Sequence, residues 1–98
     1  MFRNKVYGQL KKVPKGKVVT YKTLAESLGT KAYRAVGTAM KNNEDPVGIP
    51  CYKVVRSDGS VGSYSSPGGT RKKIELLQKD GITVNNGKID KKYFYFFR

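Results

Sequence analysis

The chain has 98 residues, with 20 Lys and Arg against 7 Asp and Glu, a net charge of +13, one cysteine and no histidine. That length fits one domain, residues 1–98, with a modest core. A single cysteine without histidine excludes an internal disulfide, a cysteine–histidine dyad and a zinc site, so no metal is expected.

The basic excess is uncompensated. A lysine-rich surface of the thermophile kind would carry glutamates to match, and they are missing. Such a surface attracts polyanions through counterion release, which points to nucleic acid. An anionic membrane would call for a basic amphipathic helix with a broad apolar face, and none appears. No stretch approaches ~20 apolar residues and no signal peptide follows Met1. A lone thiol fits a reducing compartment, so the expected location is the cytoplasm.

Phe2, Val6, Leu10 and Val13 recur at helical spacing and predict a first helix over 2–13, stopped by Pro14 and Gly16. Val18-Val19-Thr20 reads as a short extended piece. Thr20 or Thr23 can cap the next helix, and Thr23-Leu24-Ala25-Glu26 also fits a capping box. Leu24, Ala25 and Leu28 form its apolar face, and Gly29 suits the position after its end. Thr30 then caps a third helix to about Lys41, with Ala35, Val36 and Ala39 inward. Two short helices joined by a tight turn containing glycine form a helix-turn-helix pattern. The polar face of the third helix carries Lys31, Tyr33, Arg34 and Lys41, and its small residues Ala35, Gly37 and Ala39 allow close approach of a DNA backbone.

Residues 42–50 are dense in turn formers. Cys51 to Val55 is short and β-branched and predicts an extended segment. Ser57-Asp58-Gly59-Ser60 is a turn, and 61–69 is a hydroxyl-rich loop. Thr70 caps a fourth helix with Ile74 and Leu77 inward, ended by Gly81. Ile82-Thr83-Val84, Asn85-Asn86-Gly87 and Lys88-Ile89 predict a hairpin. The aromatic tail, Tyr93 to Phe97, either packs on the domain or stacks on bases. The fold class expected is mainly α with short β strands, a winged-helix-like helix-turn-helix domain.

Taken alone, a single cysteine is a small buried hydrophobe as readily as a nucleophile. Three stretches in order point to chemistry. Val19-Thr20-Tyr21-Lys22-Thr23-Leu24-Ala25, then Tyr33-Arg34-Ala35-Val36-Gly37-Thr38-Ala39-Met40, then Ile49-Pro50-Cys51-Tyr52-Lys53-Val54-Val55 resemble the DNA-binding and active-site domain of the O6-alkylguanine-DNA alkyltransferases. Val61 to Ser65 and Leu76 to Gly81 follow in the family's order.

The resemblance implies roles. Cys51 is the alkyl acceptor, whose thiolate attacks the alkyl carbon on guanine O6, restores guanine and keeps a stable thioether. Each molecule reacts once and no cofactor takes part. Tyr21 donates toward the purine. Ser65 or Ser66 approaches O6, and backbone groups of Cys51 and Val54 hold the base edge. Arg34 enters the stack in place of the flipped nucleotide, and Asn43 braces the turn before Cys51. Tyr33, Ala35, Gly37, Lys53 and Lys73 are carried over as further substrate- or DNA-contacting positions. The target atom lies inside the duplex, so base flipping is required. The partner implied is double-stranded DNA carrying O6-alkylguanine, bound by a monomer through the minor groove.

The chain departs from the family pattern beside the cysteine. The family's Pro-Cys-His-Arg-Val reads Pro50-Cys51-Tyr52-Lys53-Val54 here. The relay from that histidine to a glutamate would run from Tyr52 to Asp80, and a phenol titrating near pH 10 is a poor base at neutrality. Thiols of pKa ~8.5 are still a few per cent thiolate at pH 7. Positive charge nearby, Lys53 included, favours the thiolate. Tyr52 either assists or fills the histidine's space. Three functions follow: single-use alkyl transfer to Cys51; a lesion sensor like the alkyltransferase-like proteins, which flips the base and hands it to excision repair; and a plain helix-turn-helix regulator. Sensors of that kind usually replace the cysteine, which this chain keeps.

Overall fold

The computed structural model describes residues 2–44, 48–62 and 68–97. The first helix, α1, spans Phe2–Leu10 and buries Val6 and Leu10, one turn apart on one face. It ends sooner than the apolar spacing predicts. Pro14 disfavours helical geometry at the residue before it, and the chain closes with tighter turns instead, Lys12 N donating to Gln9 O and Val13 N to Leu10 O at 3.0 and 3.1 Å. Val13 still reaches the core.

Val19–Thr20 forms strand β1, and Tyr21–Ser27 forms α2. Of the two candidate caps, Thr20 is the one used: its Oγ1 accepts from Thr23 N at 3.0 Å. Thr23 therefore lies in the first turn and does not start a capping box. Gly29, at φ +73°, takes the left-handed conformation that reverses the chain after α2. The next helix, α3, runs from Tyr33 to Lys41. Thr30 does not cap it directly. Its Oγ1 accepts from Ala32 N at 3.1 Å, a two-residue turn that satisfies a donor ahead of the helix. Val36, Ala39 and Met40 bury against α1 and α2.

Cys51–Lys53 is a 3₁₀ turn, and only Val54–Val55 is extended, as β2. The extended reading of 51–55 thus holds for its last two residues. Pro50 opens the turn, with Lys53 N donating to Pro50 O at 3.1 Å. β2 pairs parallel with β1, Val19 opposite Val54 and Thr20 opposite Val55.

Helix α4 spans Gly69–Lys79. Gly68, at φ +96°, sets its start, and a Cβ there would come within 2.7 Å of Lys72 Cβ. Thr70 lies one residue inside the helix and is not its cap. Strands β3, Val84–Asn85, and β4, Lys88–Ile89, form the expected hairpin, turned by Asn86 and Gly87, both at positive φ. A 3₁₀ turn at Lys91–Tyr93, capped by Asp90, leads into the tail.

The tail packs. Val18 N donates to Tyr93 O at 2.8 Å and Tyr95 N to Val18 O at 2.7 Å. Tyr95 and Phe97 meet edge to face, and only Phe96 stands out, at 61% exposed.

Two apolar clusters result. One joins α1, α2 and α3 to Cys51 and Val54; the other joins Val18, Val55, Val61, Leu77, Ile82 and Ile89. The β1–β2 pair lies between them. Neighbouring strand residues point to opposite sides, so Val54 serves the first cluster and Val55 the second. Four helices and two short strand pairs among the described residues make the domain mainly helical, as the sequence predicts. No helix among them is long and apolar enough to cross a membrane.

Candidate active site and DNA-binding face

Cys51 opens the 3₁₀ turn and is 6% exposed, one wall of the α1–α3 core. Its backbone is fixed from both sides. Cys51 N donates to Ile49 O at 2.8 Å, and the same carbonyl accepts from Asn43 Nδ2 at 2.9 Å. Asn43, just past the end of α3, therefore ties the helix-turn-helix to the approach to the cysteine. On the other side Val54 N donates to Cys51 O.

The β1–β2 pairing brings the start of α2 to the same place. Tyr21 follows Thr20 directly, and its phenol senses the charge of Cys51. Burial pushes the Tyr21 phenol above its ordinary value; Arg56 opposes this and Cys51 adds to it. The hydroxyl thus stays protonated at neutral pH and can donate. Tyr7, on α1, also senses Cys51, although burial is the larger cause of its raised pKa. Its hydroxyl donates to Ala39 O at 2.6 Å and pins α3 to α1.

The sequence expects Lys53 to favour the thiolate by its charge and to contact substrate or DNA. It is buried instead. Its ammonium donates to Val13 O at 3.3 Å and Pro14 O at 3.1 Å and pairs with Asp80 at 3.4 Å. Asp80 Oδ2 also accepts from Gly16 N at 2.9 Å. The carboxylate read as the end of a proton relay is the counter-ion of Lys53, in a latch joining the α1–β1 loop, the 3₁₀ turn and the end of α4. Tyr52 is half-buried and packs against the second cluster.

Lys73, expected to contact substrate or DNA, is 1% exposed on the inner face of α4. Its Nζ donates to Val54 O at 2.7 Å. The signal for this was available: Lys73 precedes Leu77 by four residues and shares its face. Arg56 was not singled out in the sequence, yet its charge acts on both Tyr21 and Lys73.

On α3 the expected contact residues fall on the surface. Tyr33 and Arg34 are exposed, and Ala35 and Gly37 are half-buried. A Cβ on Gly37 would meet nothing within 4 Å. Ser65 and Ser66 lie outside the described residues. A separate groove of about 490 Å³ lies between α2 and the tail, lined in part by Thr23, Glu26, Lys91, Phe94 and Phe96, and does not include Cys51.

A helix-turn-helix whose second helix is braced to a buried cysteine, with the first tyrosine of α2 packed against the same cluster, defines a DNA-binding domain of the alkyltransferase class. The family model for the 6-O-methylguanine DNA methyltransferase DNA-binding domain matches residues 1–82, and the chain belongs to that family. A relative in Picrophilus torridus, a bifunctional methyltransferase/endonuclease, is 49% identical over 92 residues, which are 93% of this chain and 30% of that protein. The O6-methylguanine-DNA methyltransferase of Pyrococcus kodakaraensis is 46% identical, with a TM-score of 0.73 over 83% of this chain and 46% of that one. S. pombe Atl1, solved with damaged DNA containing O6-carboxymethylguanine, is 27% identical with a TM-score of 0.86, covering 96% of this chain and 94% of that one. The chain thus spans less than half of the two methyltransferases and nearly all of Atl1.

Proposed function

We propose that this domain binds duplex DNA containing O6-alkylguanine through α3 and transfers the alkyl group to Cys51, once per molecule. The observation that carries this reading is a cysteine held in a hydrogen-bonded turn, with a protonated phenol beside it and α3 braced to it through Asn43. The S–C bond forms as the C–O6 bond breaks, and the guanine that leaves takes up one proton. Tyr21 donates toward the purine and disperses the charge developing on it. Arg34, exposed on α3, fills the space of the flipped nucleotide, and Tyr33, Ala35 and Gly37 let the helix approach the minor groove. Net charge +13 supplies the sequence-independent part of the affinity.

One observation favours a second reading. The likeness to Atl1 covers nearly the whole of both chains, and Tyr52 stands where the family has its histidine. Under this reading the domain binds and flips the lesion and passes it to an excision enzyme, with Cys51 unreacted.

The test is restoration of guanine. A duplex with O6-methylguanine inside a restriction site, uncut while methylated, is incubated with wild type or Cys51→Ala protein. Transfer predicts that one equivalent of wild type restores one equivalent of cleavable site and that Cys51→Ala restores none. Wild type that binds the duplex tightly and restores nothing refutes transfer.

A further inference from the structure

We propose that the groove between α2 and the C-terminal tail is a second DNA contact, holding the backbone of the strand that runs on from the Cys51 site. The inference rests on the domain binding DNA through α3 and does not depend on alkyl transfer.

The tail is held extended by its pairing with Val18: Val18 N donates to Tyr93 O and Tyr95 N to Val18 O. Successive side chains of an extended segment point to opposite sides. Tyr95 and Phe97 accordingly pack on the first apolar cluster and Phe94 on the second. Phe96 packs on neither and stays 61% exposed, lining the groove of about 490 Å³ together with Phe94. Lys22 from α2, Lys91 from the turn before the tail and Ser57 from the loop after β2 also line it. Both lysines are exposed, and among the described residues neither has an ion pair or a side-chain hydrogen bond. Glu26 is the one acid of the lining among those residues. The groove therefore sets two free cations beside an exposed aromatic ring.

That combination matches the alternation of phosphate and deoxyribose along a DNA strand. Phosphate and sugar contacts of this kind fix register without reading sequence. A net charge of +13 makes a polyanion the favoured occupant. The groove also adjoins the candidate site. Thr20 and Lys22, on either side of Tyr21, both line it, and Tyr21 packs on the cluster that contains Cys51. A strand that delivers a lesion to Cys51 past Tyr21 continues onto Lys22. Its phosphates then lie against Lys22 and Lys91, with a deoxyribose on the Phe96 ring.

Lys91 and Phe96 are exposed, so replacing them leaves the core intact. Binding to an undamaged duplex is followed by fluorescence anisotropy over a range of salt. Lys91→Gln should lower the slope of log affinity against log salt by about 0.9, the loss of one phosphate contact. Phe96→Ala should weaken binding about fivefold through lost apolar contact. Lys88→Gln, on the hairpin and outside the groove, should keep the wild-type slope. Wild-type behaviour in both groove variants, or an equal loss of slope in Lys88→Gln, overturns the proposal. A photoreactive p-benzoylphenylalanine in place of Phe96 identifies the occupant directly. Irradiation with duplex present should join it to DNA; a crosslink to a second copy of the chain instead, or no adduct, overturns the proposal. Wild type that fails to bind the duplex removes the DNA-binding reading itself. Loss of affinity in Arg34→Ala with none in the groove variants removes the groove alone.

Discussion

Replacing Lys53 with methionine isolates the internal latch. In the native domain the ammonium serves Asp80, Val13 O and Pro14 O, all within 3.4 Å, and is sealed from solvent. Methionine keeps most of the volume and removes the charge. Asp80 is then left buried with Gly16 N as its remaining partner among these. Breaking a buried pair from one side costs about 3–5 kcal/mol, mostly from the orphaned charge. The Asp80 side chain keeps 10% of its surface exposed, so the lower figure applies, about 3 kcal/mol. Domains of this size lose roughly 4–8 °C of Tm per kcal/mol, giving a fall of about 12–24 °C against a total stability of about 5–15 kcal/mol. Thermal and urea unfolding followed by circular dichroism measure it. Adding Asp80→Asn removes the orphaned charge and keeps an acceptor for Gly16 N, so the double variant should be more stable than Lys53→Met alone. A Tm loss below about 4 °C, or a double variant no more stable than the single, refutes the latch. If Lys53 faced DNA, the outcome would reverse: unchanged Tm and weakened binding.

Gly37→Ala should act in opposite directions on the two properties of α3. A methyl there meets nothing in the protein, so the free domain should gain up to about 1 kcal/mol from helix propensity, while a duplex seated on that face should bind more weakly. Unchanged affinity by fluorescence anisotropy would remove α3 from the interface. Arg34→Ala should reduce extrusion of the lesion, read by 2-aminopurine fluorescence beside it; full extrusion would refute the role given to Arg34. Lys73 also makes a prediction for stability against pH. Its folded pKa, about 8, lies below the unfolded value near 10.5, so the unfolded chain binds more protons between them. Its burial therefore penalises the fold fully below pH 8, and that penalty fades as pH rises toward 10.5. Wild type should gain stability relative to Lys73→Met from pH 8 to 10, and parallel curves for the two would contradict this.

The helix-turn-helix, the hairpin and the position of Cys51 are legible in the sequence because short-range rules decide them: Leu24 and Ala25 on one face, glycine after α2, Asn86-Gly87 in the turn. The boundaries of α1 and α3 are not, since Pro14 and the Thr30 turn shorten patterns that apolar spacing extends. The two internal lysines are harder still. Charge alone assigns Lys53 and Lys73 to the surface. What overrides it is tertiary: Asp80 and the Val13 and Pro14 carbonyls for one, and Val54 O for the other. Those partners lie far away in sequence, and the one local hint is the four-residue spacing that puts Lys73 on the face of Leu77. The identity of the chemistry was carried by the ordered resemblance, because composition alone leaves a lone cysteine open between packing and reaction.

Intact mass with peptide mapping, after incubation with duplex DNA carrying O6-methylguanine, tests the central claim most directly. Transfer predicts that the peptide containing Cys51 gains one methyl in place of the thiol hydrogen, up to one equivalent per chain. Tight binding of the lesion with an unmodified Cys51 peptide would contradict it and make the domain a cysteine-bearing sensor of alkylated guanine.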